Sequence, residues 1–345
     1  MGNYKRFLIM LLAFLVLFFA FYFVSYIIIL QKSSSNFHSF KNYLISNTGT
    51  KSRIIIDSGS NSFHSINSKT IEEHFGKITI NLADNAEYPL QAKLYRINKF
   101  ANSADIVILP LEYRFYLNDI APKIFYDHIF FELSHYFVYS PLLYKIKLIF
   151  NTPISSLLKS FIRYINTDFK MLKSYNHADY FEDFKNGLRG DHIFNSKLPF
   201  RNDITNSCKQ FIFLKEIVKK GSLINKIFKE NLELMKKIEK EKGVKFIFTY
   251  PAVVGDDCYD FSGKNGAEYK KFLTDIKKLC NSNGFEFIGD FRSSYFPRKQ
   301  IHDTWYHILP EARDIRTKKL IENLDKSNFK NDLYADSLSN SSISN

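Results

Sequence analysis

Residues 53–62 read Arg-Ile-Ile-Ile-Asp-Ser-Gly-Ser-Asn-Ser. Three successive β-branched apolar residues make a short strand buried on both faces, and the small polar turn at Ser58–Ser62 stops it. The same pattern recurs at Lys77–Leu82 (KITINL), Asp105–Leu111 (DIVILPL), Val244–Tyr250 (VKFIFTY) and Phe285–Ile288 (FEFI). Helical patterns separate these runs. Residues 67–75 read as one helix, and residues 89–102 as another, with Leu90, Leu94, Ile97 and Phe100 at helical spacing. A long helix over about 215–242 carries Ile217, Ile224, Ile227, Phe228, Met235 and Ile238 on one face and ends at Gly243. Residues 266–282 and 310–324 complete the set, the former stopped by Gly284. Strands buried on both faces and alternating with helices predict a three-layer α/β/α sandwich around a five-stranded parallel sheet.

In such folds ligands bind beyond the carboxyl ends of the strands, which selects two polar clusters. After the first strand stands Asp57-Ser58-Gly59-Ser60-Asn61-Ser62, a turn that can present a hydroxyl to solvent and backbone N–H groups to an anion. After the fifth stands His302-Asp303-Thr304-Trp305-Tyr306-His307, where a carboxylate and an imidazole lie close enough in sequence to pair. Taken singly these are a common turn, a common helix cap and a histidine of structural kind. Taken together, a serine early and an Asp/His set late divide as a nucleophile and its base would.

The run Phe7–Leu30 (FLIMLLAFLVLFFAFYFVSYIIIL) carries no charge and is longer at helical rise than the hydrocarbon core of a bilayer. Its exit, Ile27-Ile28-Ile29-Leu30, lacks the small residues of a cleavage site, so it reads as an uncleaved signal anchor. Lys5 and Arg6 precede it and argue for a cytoplasmic N-terminus, although Lys32, Lys41, Lys51 and Arg53 follow it. The expected organisation is a cytoplasmic tail at 1–6, the span at 7–30, a Ser/Asn/Lys-rich tether at 31–50, the α/β domain at 51–325 and a disordered tail at 326–345. A helical insertion occupies about 116–243. Within it, residues 125–150 are aromatic and apolar with scattered Lys and His, as either core helices or a membrane- or partner-facing surface would be. Residues 187–203 read as a loop in which Arg189, Asp191 and His192 are either solvated or substrate contacts.

Composition narrows the function classes. The chain has 345 residues, 45% hydrophobic and 24% charged, which excludes a disordered or collagen-like protein. Its 48 Lys+Arg against 35 Asp+Glu suit anionic partners, and also follow from a general bias towards Lys, Asn, Ile, Phe and Tyr. No nucleic-acid-binding module is present. Cys208, Cys258 and Cys280 are too few and too scattered for a zinc site or a disulfide framework, though Cys258 and Cys280 could pair outside the cytoplasm. No metal and no cofactor is expected.

The stretches IIIDSGSNSFHSINSKTIEEHFG, NLADNAEY, DIVILPLEY and FIGDFRSSYFPRKQIHDTWYHILPEARDIRTKKLIENL resemble the SGNH (GDSL-like) hydrolases. The likeness is greatest to their membrane-anchored, extracytoplasmic branch associated with bacterial surface-polysaccharide genes, and Gly190-Asp191-His192 resembles a mid-chain element of that branch. It covers about 53–115 and 243–324. The resemblance implies the flavodoxin-like variant of the sandwich, with Ser60 as nucleophile, His307 as general base and Asp303 as its orienting acid. It implies oxyanion donors at the Ser60 N–H and at a second-block N–H, here Ala83 in place of the usual Gly. The usual third-block Asn is replaced within Leu111-Glu112-Tyr113, so Asn85 is the candidate substitute, and Asn61 joins the oxyanion or substrate-binding set. The implied activity is O-acyl (acetyl) transfer or ester hydrolysis on a cell-surface glycan, with a multi-pass membrane acyltransferase as partner. The implied location is the inner or plasma membrane, with the bulk of the chain extracytoplasmic. A non-catalytic scaffold for polysaccharide assembly or export is the alternative.

Overall fold

The structure, a computed structural model, describes residues 2–31, 36–49, 51–117, 123–130, 133–166, 189–191, 224, 226–255, 264–302 and 304–334. Its first elements are α1 (Gly2–Gln31), α2 (Asn36–Asn47), β1 (Ile54–Ile56), α3 (Ser60–Ser65), α4 (Ser68–Phe75), β2 (Thr79–Asn81), α5 (Leu90–Phe100) and β3 (Ile106–Leu109). Five helices follow: α6 (Arg114–Leu117), α7 (Lys123–Ile129), α8 (Ser134–Tyr139), α9 (Leu142–Asn151) and α10 (Ile154–Asn166). The remainder comprises α11 (Lys226–Lys242), β4 (Lys245–Thr249), β5 (Val253–Val254), α12 (Lys264–Ser282), β6 (Glu286–Ile288), β7 (Tyr295–Phe296) and α13 (Pro310–Leu324). The chain divides into two compact units, residues 1–39 with 121–175 and residues 40–120 with 176–345.

The larger unit is an α/β sandwich. Five parallel strands lie in the order β2-β1-β3-β4-β6, the doubly wound order in which the chain reverses direction across the sheet between β1 and β3. All five expected strands are present. Strand alternation sorts the core into two faces. Ile55, Ile80, Val107, Phe246 and Phe248 pack with residues of α5, α11 and α12, whereas Ile54, Ile56, Ile106, Ile108 and Ile247 pack with residues of α4 and α13. At the amino ends, Arg53 is fully buried and pairs with Asp105 at 2.8 Å. Its guanidinium also donates to the carbonyls of Ile45 and Phe100, tying α2 and α5 to the sheet.

Two expectations change here, and one element is new. The stretch read as a tether at 31–50 contains α2, whose Leu44 and Ile45 are core residues; apolar spacing on this helix outweighs its polar composition. The tail read as disordered from 326 is packed as far as 334: residues 330–334 are helical, and Leu333 is fully buried beside Phe329 and Tyr334. Lys77 Nζ donates to Asp332 O at 2.6 Å. A second, two-stranded parallel sheet, β5 with β7, was not anticipated, because two residues are too few to show a period. The helix expected over 215–242 is described from Lys226 onward. Cys208, Cys258, His192, Asp303 and residues 335–345 lie outside the described residues, and Cys280 is a buried free thiol.

The smaller unit is built on α1. Residues Asn3–Ile28 of this helix have a mean hydropathy of 2.9, long and apolar enough to cross a membrane. Beside it lie α7 to α10, with Phe125, Tyr126, Ile129, Phe130 and Tyr136 buried. The aromatic stretch 125–150 is therefore partly core, but Val138, Leu142, Leu143, Ile146 and Phe150 are exposed.

Candidate functional site

β1 is three residues long, and the chain beyond it turns at Asp57–Gly59 into the six-residue helix α3, whose first residue is Ser60. On the other side of the site, Ile301 and Ile308 form an antiparallel bridge. His302 N donates to His307 O at 2.7 Å, and Leu309 N to Gln300 O at 2.8 Å, so residues 301–308 form a tight loop before α13. The two segments meet at one contact: His307 Nε2 lies 2.8 Å from Ser60 Oγ. Of the three serines in the turn, Ser58 and Ser62 are buried and hydrogen-bonded to each other at 2.5 Å. Ser60 is partly exposed and faces an imidazole. The pair Ser60–His307 has the reach needed for proton transfer from a hydroxyl to a base.

The backbone around Ser60 is held by Glu112. Its carboxylate accepts from Gly59 N and from Asn61 N, both at 2.9 Å, one on each side of the serine. Among the described residues the Ser60 N–H has no protein acceptor, so it is the donor at this turn left for an anion. Glu112 is fully buried, and burial pushes its carboxyl up from the usual range against the pull of the two N–H groups and the Lys93 charge. The fit is close: a Cβ on Gly59 would stand 2.4 Å from Glu112 Oε1 and 2.5 Å from Ala86 Cα.

The other candidate donors have defined partners. Asn61 is buried; its Nδ2 donates to Pro110 O at 2.9 Å, and its Oδ1 accepts from Ala252 N at 2.9 Å. This side chain therefore bridges the segments after β3 and β4. Ala83 N donates to Asn81 Oδ1 at 3.0 Å, and Ala83 O accepts from Lys41 Nζ. Asn85 Oδ1 accepts from Glu87 N at 2.8 Å in a short Asx turn, while its Nδ2 has no partner among the described residues. The next residue, Ala86, is the one packed against Gly59.

Beneath the turn lies a cluster of buried charges. From α5, Lys93 Nζ donates to Ser58 O at 2.9 Å and to Asp84 Oδ1, and Arg96 donates to Asp57 Oδ2 at 2.8 Å and to Leu82 O at 2.9 Å. Burial lowers the Lys93 and Lys41 ammonium groups from their usual values. Asp57 pulls both back up, and the nearby Arg96 charge lowers both further. Lys41 Nζ also lies 4.5 Å from the centre of the Phe63 ring.

Two residues near the pair escaped the sequence reading. His64, one helical turn after Ser60, packs its ring 4.2 Å from that of His307. Glu112 stands within the third block, and its role as an acceptor for the turn could not be read from one residue. Arg189 and Asp191 are neither solvated nor at Ser60. Arg189 pairs with Glu72 through two 2.8 Å hydrogen bonds. Asp191 accepts from Ser68 N and Oγ, both at 2.7 Å, and from Asn81 Nδ2 at 2.8 Å. They fasten the segment 189–191 to α4 and β2. No group of metal-ligating side chains occurs among the described residues.

The larger unit is thus a parallel α/β sandwich with a hydrogen-bonded Ser–His pair beyond the carboxyl ends of its strands. No protein-family model matches this chain, and no curated protein matches it.

Proposed function

We propose that this chain is a membrane-anchored serine acyl-ester enzyme of SGNH type, acting through an acyl-Ser60 intermediate. The 2.8 Å contact between Ser60 Oγ and His307 Nε2 carries this reading. In the proposed reaction His307 Nε2 takes the Ser60 hydroxyl proton as Oγ bonds to the acyl carbonyl carbon. The oxyanion that forms is met by the Ser60 N–H. The ester C–O bond then breaks, and His307 returns the proton to the departing alcohol. Water or a sugar hydroxyl repeats the sequence in reverse, giving hydrolysis or transfer. Asp303 is proposed to orient the His307 ring.

The substrate we infer is an O-acyl, most simply O-acetyl, group of a cell-surface glycan, with a multi-pass membrane acyltransferase as donor partner in the transfer case. The proposed location is the inner or plasma membrane, crossed once by α1, with the rest of the chain extracytoplasmic. A second reading is a non-catalytic scaffold for surface-polysaccharide assembly or export. Its support is that Ala83 N–H and the Asn61 amide already have acceptors and partners within the fold.

The test is fluorophosphonate labelling of the full-length protein in detergent. The expected result is stoichiometric labelling of Ser60 that is lost in both Ser60→Ala and His307→Ala. A folded wild type that takes no label in the presence or absence of membrane extract sinks the enzyme reading and leaves the scaffold.

A further inference from the structure

We infer that the α9–α10 hairpin is a second membrane-contacting element, a monotopic insert that rests in the lipid beside α1. The inference stands on the reading of α1 as a membrane span and on contacts within the smaller unit.

The hairpin is inside-out for a protein in water. On α10, Ser156, Leu157 and Ser160 are buried, whereas Ile154, Leu158, Ile162 and Ile165 are exposed. These four recur at spacings of four, four and three residues and so form one continuous stripe. A helix packed on an aqueous core turns such a stripe inward and its serines outward. Here Ser156 and Ser160 are turned inward, with Ser155 exposed, and the branched apolar residues face out, the arrangement of helices whose solvent is hydrocarbon. α9 buries Tyr144 and Leu148 but also exposes apolar residues: Leu142, Leu143 and Phe150 are 72%, 82% and 69% exposed.

Contacts with α1 set the depth. Tyr22 Oη donates to Ile149 O at 2.8 Å, and Tyr26 Oη lies 3.4 Å from Thr152 Oγ1. The rings of Phe23 and Phe150 are 6.3 Å apart, and those of Phe21 and Phe161 are 6.1 Å apart. The hairpin therefore lies alongside residues 21–26, within the apolar stretch that ends at Ile28. At helical rise Phe21 is roughly 10 Å from that end, the depth of the boundary between headgroups and acyl chains. A bilayer that holds α1 meets this hairpin at the same level.

The charges fit the same occupant. Residues 142–166 contain Lys145, Lys147, Lys159 and Arg163 and no acidic residue, and Lys159 pairs with Asp127 of α7 at 3.2 Å. Lys145 lies 5.6 Å from the Phe137 ring centre and Lys147 5.9 Å from that of Tyr144. Apolar stems with cationic ends suit anionic headgroups.

The test uses the full-length protein in vesicles of phosphatidylethanolamine and phosphatidylglycerol, photolysed with an apolar diazirine that partitions into the acyl chains. Modified residues are then mapped by mass spectrometry. The expected pattern is modification of α1 together with Leu142, Leu143, Phe150, Leu158 and Ile162, with none on the exposed face of α11. Modification confined to α1 overturns the inference while leaving the anchor intact. That outcome, joined to a cross-link between two copies of residues 142–166, would give the face to a second copy of the chain. Absence of modification on α1 as well would overturn the span on which the inference rests.

Discussion

Glu112 occupies the position where a neutral amide was expected, and its effect is mechanical. A carboxylate offers two oxygens, and each takes one N–H, from Gly59 and from Asn61. An amide offers one oxygen and turns an NH2 group towards the other N–H, leaving a buried donor facing a donor. Such a loss costs about 1–3 kcal/mol. We therefore expect Glu112→Gln to lower unfolding stability by about that amount in denaturant melts, and to slow Ser60 labelling although the hydroxyl and the imidazole are untouched. A variant as stable as wild type would remove the clamp from the account. The sequence singles out Ser60 and His307 because serine turns and Asp/His clusters are patterns of residue type at particular places. It did not expose the clamp, since the acceptor lies more than fifty residues from its donors and only folding brings them together. Nor did it expose His64, whose closeness to His307 depends on where the loop 301–308 closes.

At the scale of elements, the five strands were legible because each is a run of β-branched or aromatic residues bounded by turns, and the described strands fall inside those runs. α2 was not legible: Asn, Ser and Lys dominate its composition, and the signal is confined to Phe40, Leu44 and Ile45. The segment 189–191 was read as loop and is instead pinned to the sheet edge, with Asn81 N donating to Arg189 O at 2.8 Å. Gly190 makes this approach possible. Its φ is +91°, and a Cβ there would stand 2.2 Å from Asn81 O, a backbone atom that cannot swing aside. Gly190→Ala therefore meets both a conformational penalty of about 1–2 kcal/mol and a clash. We expect hydrogen exchange at the Asn81 amide to accelerate well beyond that of Ile55 in the central strand, as the segment detaches from β2. Unchanged exchange at Asn81 would mean that the β2 edge does not depend on this attachment.

Across the whole molecule, a net charge of +13 gives no hint that Lys41, Lys93 and Arg96 are buried with Asp57, Asp84 and Glu112. On α5 the apolar positions Leu90, Leu94 and Ile97 define one face, with Lys93 and Arg96 on the adjoining one. The structure turns that face onto the carboxyl ends of β1 and β2, where acids after two separate strands receive it. The consequence is a pH dependence of stability with a definite sign. Burial lowers Lys93 to about 7 in the folded chain, while the unfolded lysine keeps its proton to about 10.4. Between these values the unfolded state binds more protons, so this group makes stability rise with pH. Lys41, lowered by the same cause, acts in the same direction. Cys280 and the buried tyrosines Tyr113, Tyr116 and Tyr250 are raised, and oppose this only once their unfolded forms titrate, above about 8.5 for the thiol. Replacing Lys93 by Met removes its rise. The gap between wild type and Lys93→Met therefore widens as pH increases from 7 to 8.5, by about 1 kcal/mol per pH unit. Denaturant melts of the two proteins at several pH values measure that gap directly. A gap that stays constant or narrows would mean that Lys93 remains charged in the folded chain, held by Asp84 and Asp57 strongly enough to overcome its burial.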